Sequence, residues 1–175
     1  MRKLILGLAV SLDGFIEGPN GEYDWCFTDQ DYGMKEFMNN TDTILFGRKS
    51  YELMESVEPG AYPGKQKIVF STTMTEWHGK DETLLVKDAE SYVKKIKNET
   101  GRNIWLFGGA NLVTSLLNAG LIDELMLSVH PVILGSGKPL FAGLKERVQL
   151  TLTGTKGFSS GLVQLFYSIR GPQFF

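Results

Sequence analysis

The chain has 175 residues, 42% of them apolar and 22% charged, which suits one soluble globular domain with enough apolar mass for a core. Its 18 basic and 20 acidic side chains leave a net charge of −2, so no basic excess points to a nucleic acid or an anionic membrane. One cysteine, Cys26, excludes an intrachain disulfide and makes a reducing, cytoplasmic compartment the expectation. The two histidines, His78 and His130, come without a C-x-x-C or H-E-x-x-H motif, so no protein-built metal site is expected.

Residues 3–10 (KLILGLAV) are an almost continuous apolar run, the pattern of a strand buried on both faces. Met1-Arg2-Lys3 before it has the charge of a signal peptide, but Asp13 ends the run and no small-residue cleavage site follows. No apolar stretch approaches the ~20 residues of a membrane span. Residues 13–25 are dense in Gly, Pro and Asn and read as a loop. Residues 29–39 are expected to form a helix with an acidic start at Asp29 and Asp31 and with Met34, Phe37 and Met38 on one face. A short buried strand follows at 43–46, a turn at Gly47-Arg48-Lys49-Ser50, and a helix at 51–54. Residues 58–64 hold two prolines and two glycines and form a loop.

Residues 67–71 and 84–86 are further strand candidates. Residues 89–98 form an amphipathic helix with Tyr92, Val93 and Ile96 inward. A strand at 103–107 runs through Gly108-Gly109 into a helix at 110–119, and Gly120 stands where a helix-terminating glycine belongs. Residues 123–131 are a strand and 135–138 a glycine-rich loop. Residues 148–155 and 162–169 alternate apolar and polar side chains around 157–161, the signature of an antiparallel hairpin. Strands alternating with helices before a closing hairpin predict a mainly parallel α/β sheet with an antiparallel edge, in a single domain.

The chemistry concentrates at two turns. A buried strand running through Gly108-Gly109 into a helix offers unpaired backbone N–H groups and the positive end of a helix dipole, and glycine lets an anion approach closely. The alternative is a plain tight turn. The pattern is not G-x-G-x-x-G, so a Rossmann dinucleotide fold is not supported. Gly47-Arg48-Lys49-Ser50 repeats the arrangement with two cations and a hydroxyl, a combination suited to a phosphate monoester. A dinucleotide with both a pyrophosphate and a 2′-phosphate would use both turns.

Several segments occur in one order and spacing: Ser11-Leu12-Asp13-Gly14, residues 44–47 with Arg48-Lys49-Ser50, residues 104–110, residues 116–127 (LLNAGLIDELML) and residues 131–141 (PVILGSGKPLF). In these the chain resembles the dihydrofolate reductase-like superfamily, and within it the reductase domain of the bifunctional deaminase–reductase of riboflavin biosynthesis and its stand-alone relatives. The resemblance runs from residue 3 to about residue 169 and implies a central sheet of about eight strands with flanking helices. It implies NADPH lying across the strand ends. Gly47, Arg48, Lys49 and Ser50 would bind the pyrophosphate and 2′-phosphate, and Ser71 and Thr72 would line the adenosine site. Gly108, Gly109, Ala110, Asn111 and Leu112 would hold the pyrophosphate and the nicotinamide side, with a cis bond between Gly108 and Gly109. Val10 and Ile16 would flank the cofactor from the loop that covers it.

The implied activity is hydride transfer to a pyrimidine- or pteridine-like heterocycle, similar to reduction of 5-amino-6-(5-phosphoribosylamino)uracil. Reduction of a folate, or NADPH binding without turnover, are the alternatives. Ser11, Asp13, Gly14 and Trp25 are the candidate substrate contacts, with Asp13 also suited to capping a turn. Asp13, Asp29 and Asp31 are the candidate catalytic carboxylates, although Asp29 and Asp31 do not align cleanly with the family's acidic position, where Gly33 falls. A ribosyl phosphate would need a second cation, for which Lys138, Arg2 and Lys65 are candidates. His130, Asp123 and Glu124 read as structural. No deaminase domain with its zinc ligands is expected in this sequence, and the resemblance implies a homodimer; the Phe174-Phe175 tail is expected either to be disordered or to pack across the dimer interface.

Overall fold

The computed structural model describes residues 1–74 and 83–169; His78 and Phe174-Phe175 lie outside the described residues. In chain order the elements are β1 (Leu4–Ser11), β2 (Phe15–Glu17), α1 (Met34–Asn39), β3 (Thr41–Gly47), α2 (Arg48–Val57), β4 (Gln66–Phe70) and β5 (Thr83–Val86). Then come α3 (Ala89–Lys97), β6 (Asn103–Gly108), α4 (Ala110–Asn118), β7 (Glu124–His130), β8 (Lys138–Pro139), β9 (Leu150–Gly157) and β10 (Val163–Ile169).

Eight of these strands make one sheet in the order β5-β4-β3-β6-β1-β7-β10-β9. β5 through β7 are mutually parallel, and β10 pairs antiparallel with both β7 and β9. This is the α/β sheet with an antiparallel edge expected from the sequence. β2 and β8 form a separate two-stranded ribbon.

The central strands are apolar on both faces because helices cover both faces. Successive residues alternate between two cores. Leu45, Ile104 and Leu106 join Val93, Ile96, Val113 and Leu116 of α3 and α4. Ile44, Phe46 and Trp105 face the other way, toward Phe37, Tyr51 and Met54 of α1 and α2. Gly120 (φ 65) ends α4 as the sequence suggests: its N–H donates to the Leu117 carbonyl and that of Leu121 to the Leu116 carbonyl, both at 3.0 Å.

Two local expectations change. The helix expected over 29–39 begins only at Met34, because Tyr32 (φ 49) and Gly33 (φ 80) are left-handed. Tyr32 is held in that turn from a distance: its hydroxyl meets Ser160 at 3.0 Å and its carbonyl accepts from the Gln164 amide at 2.8 Å. The loop expected over 13–25 contains β2, which pairs with a segment more than a hundred residues away.

Polar groups at the N-terminal edge of the parallel strands are satisfied within the protein. The Leu4 N–H and the Lys97 ammonium both donate to Asp123 Oδ2 at 2.7 Å, and Lys97 also donates to the Leu121 carbonyl. Arg2 donates to Asp42, to Thr43 and to the Arg102 carbonyl, while Lys65 donates to the carbonyls of Met38 and Thr41. Asp123 and Glu124, which pairs with Lys3, are structural here. No helix among the described residues is long and apolar enough to cross a membrane. Asp123→Ala leaves the buried Lys97 ammonium without its counter-charge; urea unfolding is expected to show a loss of about 3 kcal/mol with little effect on ligand binding.

Candidate functional site

β4, β3 and β6 end side by side, at Phe70, Gly47 and Gly108, and two of them feed helices at once. Gly47 precedes α2 and Gly109 precedes α4, and neither helix has a side chain capping its first turn. α3 differs, since the Asp88 carboxylate accepts from the Ser91 N–H at 3.1 Å. The backbone donors of α2 and α4 are therefore left for another acceptor.

The two turns are packed backbone against backbone. A Cβ on Gly47 would lie 3.2 Å from the Gly109 nitrogen, and one on Gly109 would lie 3.1 Å from Ser50 Oγ. The Gly108–Gly109 peptide bond is cis and Gly108 has φ 140. Between these turns and the start of α3 lies a cavity of about 540 Å³. Gly47, Arg48, Lys49 and Ser50 line it from β3 and α2, and Ser71, Thr72 and Thr73 from beyond β4. Lys87, Asp88 and Glu90 line it from beyond β5, Gly109–Leu112 and Ser115 from α4, and Lys138 from β8. Four cations (Arg48, Lys49, Lys87, Lys138) face two carboxylates (Asp88, Glu90), so the lining is net positive.

Beside this cavity, the chain leaving β1 wraps across the ends of β1 and β7. Asp13 is its clasp. Its carboxylate accepts from the Ser11 hydroxyl at 2.7 Å and from the N–H groups of Leu134 and Gly135 at 3.1 and 2.8 Å. The Ser11 hydroxyl, then the two backbone donors, hold the carboxyl below the usual carboxylate range. His130, at the end of β7, is 3% exposed. Its Nε2 accepts from the Phe27 N–H at 3.1 Å, which leaves Nδ1–H to donate to the Ser128 carbonyl at 2.9 Å. Burial lowers its pKa, so the ring is neutral. The rings of Trp25 and Phe27 pack on it with centroids 5.4 and 5.0 Å away.

Residues 2–164 match the RibD C-terminal domain family. The chain belongs to this family. It is 45% identical to the uncharacterized protein YyaP of Bacillus subtilis (strain 168), over 97% of this chain and 96% of that one. It is 38% identical to the uncharacterized protein YwjB of the same organism, over 95% and 97%. A crystal structure from Shewanella sp. PV-4, of a protein provisionally assigned to riboflavin biosynthesis, superposes with a TM-score of 0.86 at 26% identity, covering 97% of this chain and all of that one. The diaminohydroxyphosphoribosylaminopyrimidine deaminase/5-amino-6-(5-phosphoribosylamino)uracil reductase of Thermotoga maritima shares the fold, with a TM-score of 0.74 at 13% identity, and this chain spans 57% of its length.

In this RibD C-terminal-type fold, most residues singled out at the two turns come together around the cavity. Gly108 lies just behind it. Val10 does not reach it: the side chain is 5% exposed and belongs to the core. Ile16 packs against the same core, because β2 turns it inward. Asp29 and Asp31 are exposed and do not line the cavity. Asp29 accepts from the Tyr32 hydroxyl at 2.6 Å, which lowers its pKa, and Asp31 accepts from the Lys35 N–H at 3.2 Å. Both serve the turn before α1. Ser11 is buried against Asp13 and Phe15, and the Gly14 carbonyl accepts from the Leu140 N–H at 2.9 Å. Trp25 stands on the His130 side, its indole N–H buried and without a hydrogen-bond partner.

Lys87-Asp88 were missed, although a strand end followed by a capping aspartate is the kind of signal used at 47–50. Among the described residues no group of three or more His, Cys, Asp or Glu side chains could hold a metal.

Gly47→Ala presses a methyl on the Gly109 amide; the expected loss is about 1–2 kcal/mol in urea unfolding, with weaker anion binding in the cavity. The neutral His130 ring makes a second prediction. The unfolded chain binds its proton more readily, so the stabilisation is complete above the ordinary value of 6.5 and is lost as pH falls from there through the depressed folded value. The Tm advantage of the wild type over His130→Gln should therefore narrow as the pH falls below 6.5.

Proposed function

We propose that the chain is an NADPH-dependent reductase acting on a pyrimidine- or pteridine-like heterocycle. The observation that carries this reading is the cavity itself: two uncapped helix N-termini and four cations across the ends of neighbouring parallel strands. A dinucleotide phosphate fits these residues on three counts. The α2 and α4 N–H groups need acceptors, Gly47 and Gly109 leave the room a Cβ would fill, and the lining charge opposes that of the ligand. Arg48, Lys49 and Ser50 would take phosphate oxygens, and Ser71, Thr72 and Lys87 the adenosine end. Gly109–Leu112 would take the pyrophosphate and the side toward β1. When bound, NADPH supplies the hydride.

On this reading the acceptor would lie beside the end of β1. The cavity spans the ends of β5 to β6, so the reacting end of the dinucleotide points to β1, where residues 11–27 cross. There the ionised Asp13 orients the 134–135 backbone rather than acting as an acid, and the neutral His130 holds Phe27 in place. Trp25 and Phe27 supply apolar ring surface suited to a flat heterocycle and to excluding water. The half-buried Cys26 thiol, pushed up to about 11 by burial, is protonated and fits a reducing cytoplasm.

Titration with NADPH and NADH, followed by a panel of folates, quinazolines and ribityl-type pyrimidines read by loss of cofactor absorbance, tests the reading. NADPH is expected to bind at least about tenfold more tightly than NADH, and Arg48→Ala to remove most of that preference. Equal affinity for the two would overturn the phosphate role of residues 47–50. Tight NADPH binding without oxidation across the panel would support a binding module instead.

A further inference from the structure

Lys138 lines the cavity but belongs to neither of its phosphate-facing turns. It sits in the β2–β8 ribbon, opposite Glu17 in the register, and its ammonium stands 3.4 Å from Glu17 Oε1. That is long for a charge-assisted bond, which closes to about 2.7–2.9 Å. The two side chains are 42% and 34% exposed, so the pair is weak.

The backbone beneath Lys138 is fixed. A Cβ on Gly137 (φ 144) would overlap the Glu17 carbonyl oxygen, the Leu140 N–H donates to the Gly14 carbonyl, and Asp13 holds Leu134 and Gly135. The side chain alone is free to choose between Glu17 and the cavity.

We infer that Lys138 binds the pyrophosphate of the dinucleotide and that Glu17 competes with the ligand for it. The inference rests on the cavity being the dinucleotide site. Its position selects the phosphate. β2 follows β1 and β8 follows β7, and both parent strands lie beyond β6 in the sheet, whereas Arg48, Ser71 and Lys87 enter from the β3, β4 and β5 side. Lys138 therefore approaches the ligand on the side of α4 and away from the 2′-phosphate. A diphosphate carries more charge than one carboxylate and is the stronger partner. Loading the cavity then releases Glu17, which lies in the segment that leads from β1 to Trp25.

The test is calorimetric titration of NADPH and NADH into the full chain and its variants. Lys138→Gln is expected to raise the Kd for both cofactors about tenfold, and Lys138→Arg to keep it near the wild-type value. Glu17→Gln is expected to lower the Kd for both about threefold, because it frees the lysine. A pair that merely braces the ribbon predicts the reverse sign for Glu17→Gln, and weakened binding in that variant overturns the inference, as does an unchanged Kd. If Lys138→Gln fails to fold, the Glu17→Gln result decides by itself. Weakening of NADPH alone overturns the pyrophosphate assignment. Loss of affinity in Arg48→Ala with none in Lys138→Gln overturns this inference and leaves the cofactor reading standing, whereas no binding of either cofactor by the wild type overturns both.

Discussion

Gly47 and Gly109 sit so close that a methyl on the first would press on the amide nitrogen of the second, at 3.2 Å. β3 and β6 are neighbours in the sheet, so the turns leaving them must lie together, and only bare backbone lets α2 and α4 start from almost the same place. Each helix brings roughly half a positive charge and several unpaired N–H groups to its N-terminus. Separated, these would be two ordinary helix ends. Brought together, they face one volume, to which Lys49 adds a full charge and Arg48 one shared with Glu52 at 2.9 Å, both from the first turn of α2. The adjacency of the strands thus turns two weak local features into one cavity with a defined polarity.

The opposite edge of the sheet follows the contrary rule. There Asp123 accepts from the Leu4 backbone and from Lys97, Arg2 is enclosed by Asp42, Thr43 and the Arg102 carbonyl, and Lys65 closes the carbonyls around the end of α1. Three of the chain's cations are consumed in holding helices and strands in register, and their charges are neutralised or hydrogen-bonded within the protein. At the C-terminal edge, no side chain among the described residues caps α2 or α4. This asymmetry separates residues that stabilise the fold from those that the proposed reading gives to a ligand. It also removes Arg2 and Lys65, both at the N-terminal edge, from consideration as anchors for a substrate phosphate.

What was legible in the sequence was what is local. Residues 103–119 carry a strand, a glycine turn and an amphipathic helix in one stretch, and 43–50 carry the same order with the cations included, so both could be read from neighbours in the chain. Asp29 and Asp31 were misread for a reason that local pattern does not contain. Acidic residues before an apolar periodicity look like a helix start, but Tyr32 takes φ 49 because Ser160 and Gln164 hold it, and those contacts come from the far hairpin. β2 escaped for the same reason: three residues in a glycine-rich stretch become a strand only when residues 138–139 lie alongside. The Asp-Gly pair at 13–14 signalled a turn correctly, yet its reach to Leu134 and Gly135 is invisible without the fold.

The same distinction bears on how function divides across the site. The cavity side is built from strand ends and the helices that follow them directly, so its residues keep their relation to one another wherever this sheet forms. The side beyond β1 is assembled from a segment after β1, the end of β7, and the loops before α1 and β8, joined by His130, Asp13 and Gln164. Each of those joints is a long-range contact between irregular segments, which tolerate change in length and sequence far better than the strand-to-helix turns do. A fold shared at a TM-score of 0.86 with only 26% identity therefore constrains the shape of the cavity more tightly than that of the segments beside it. In this chain that side carries aromatic rings braced by a neutral histidine, with Asp13 turned inward on the backbone. On the proposed reading, the selection of substrate would fall to residues 11–34 and 130–138 and to the Glu17–Lys138 pair that joins them to the cavity.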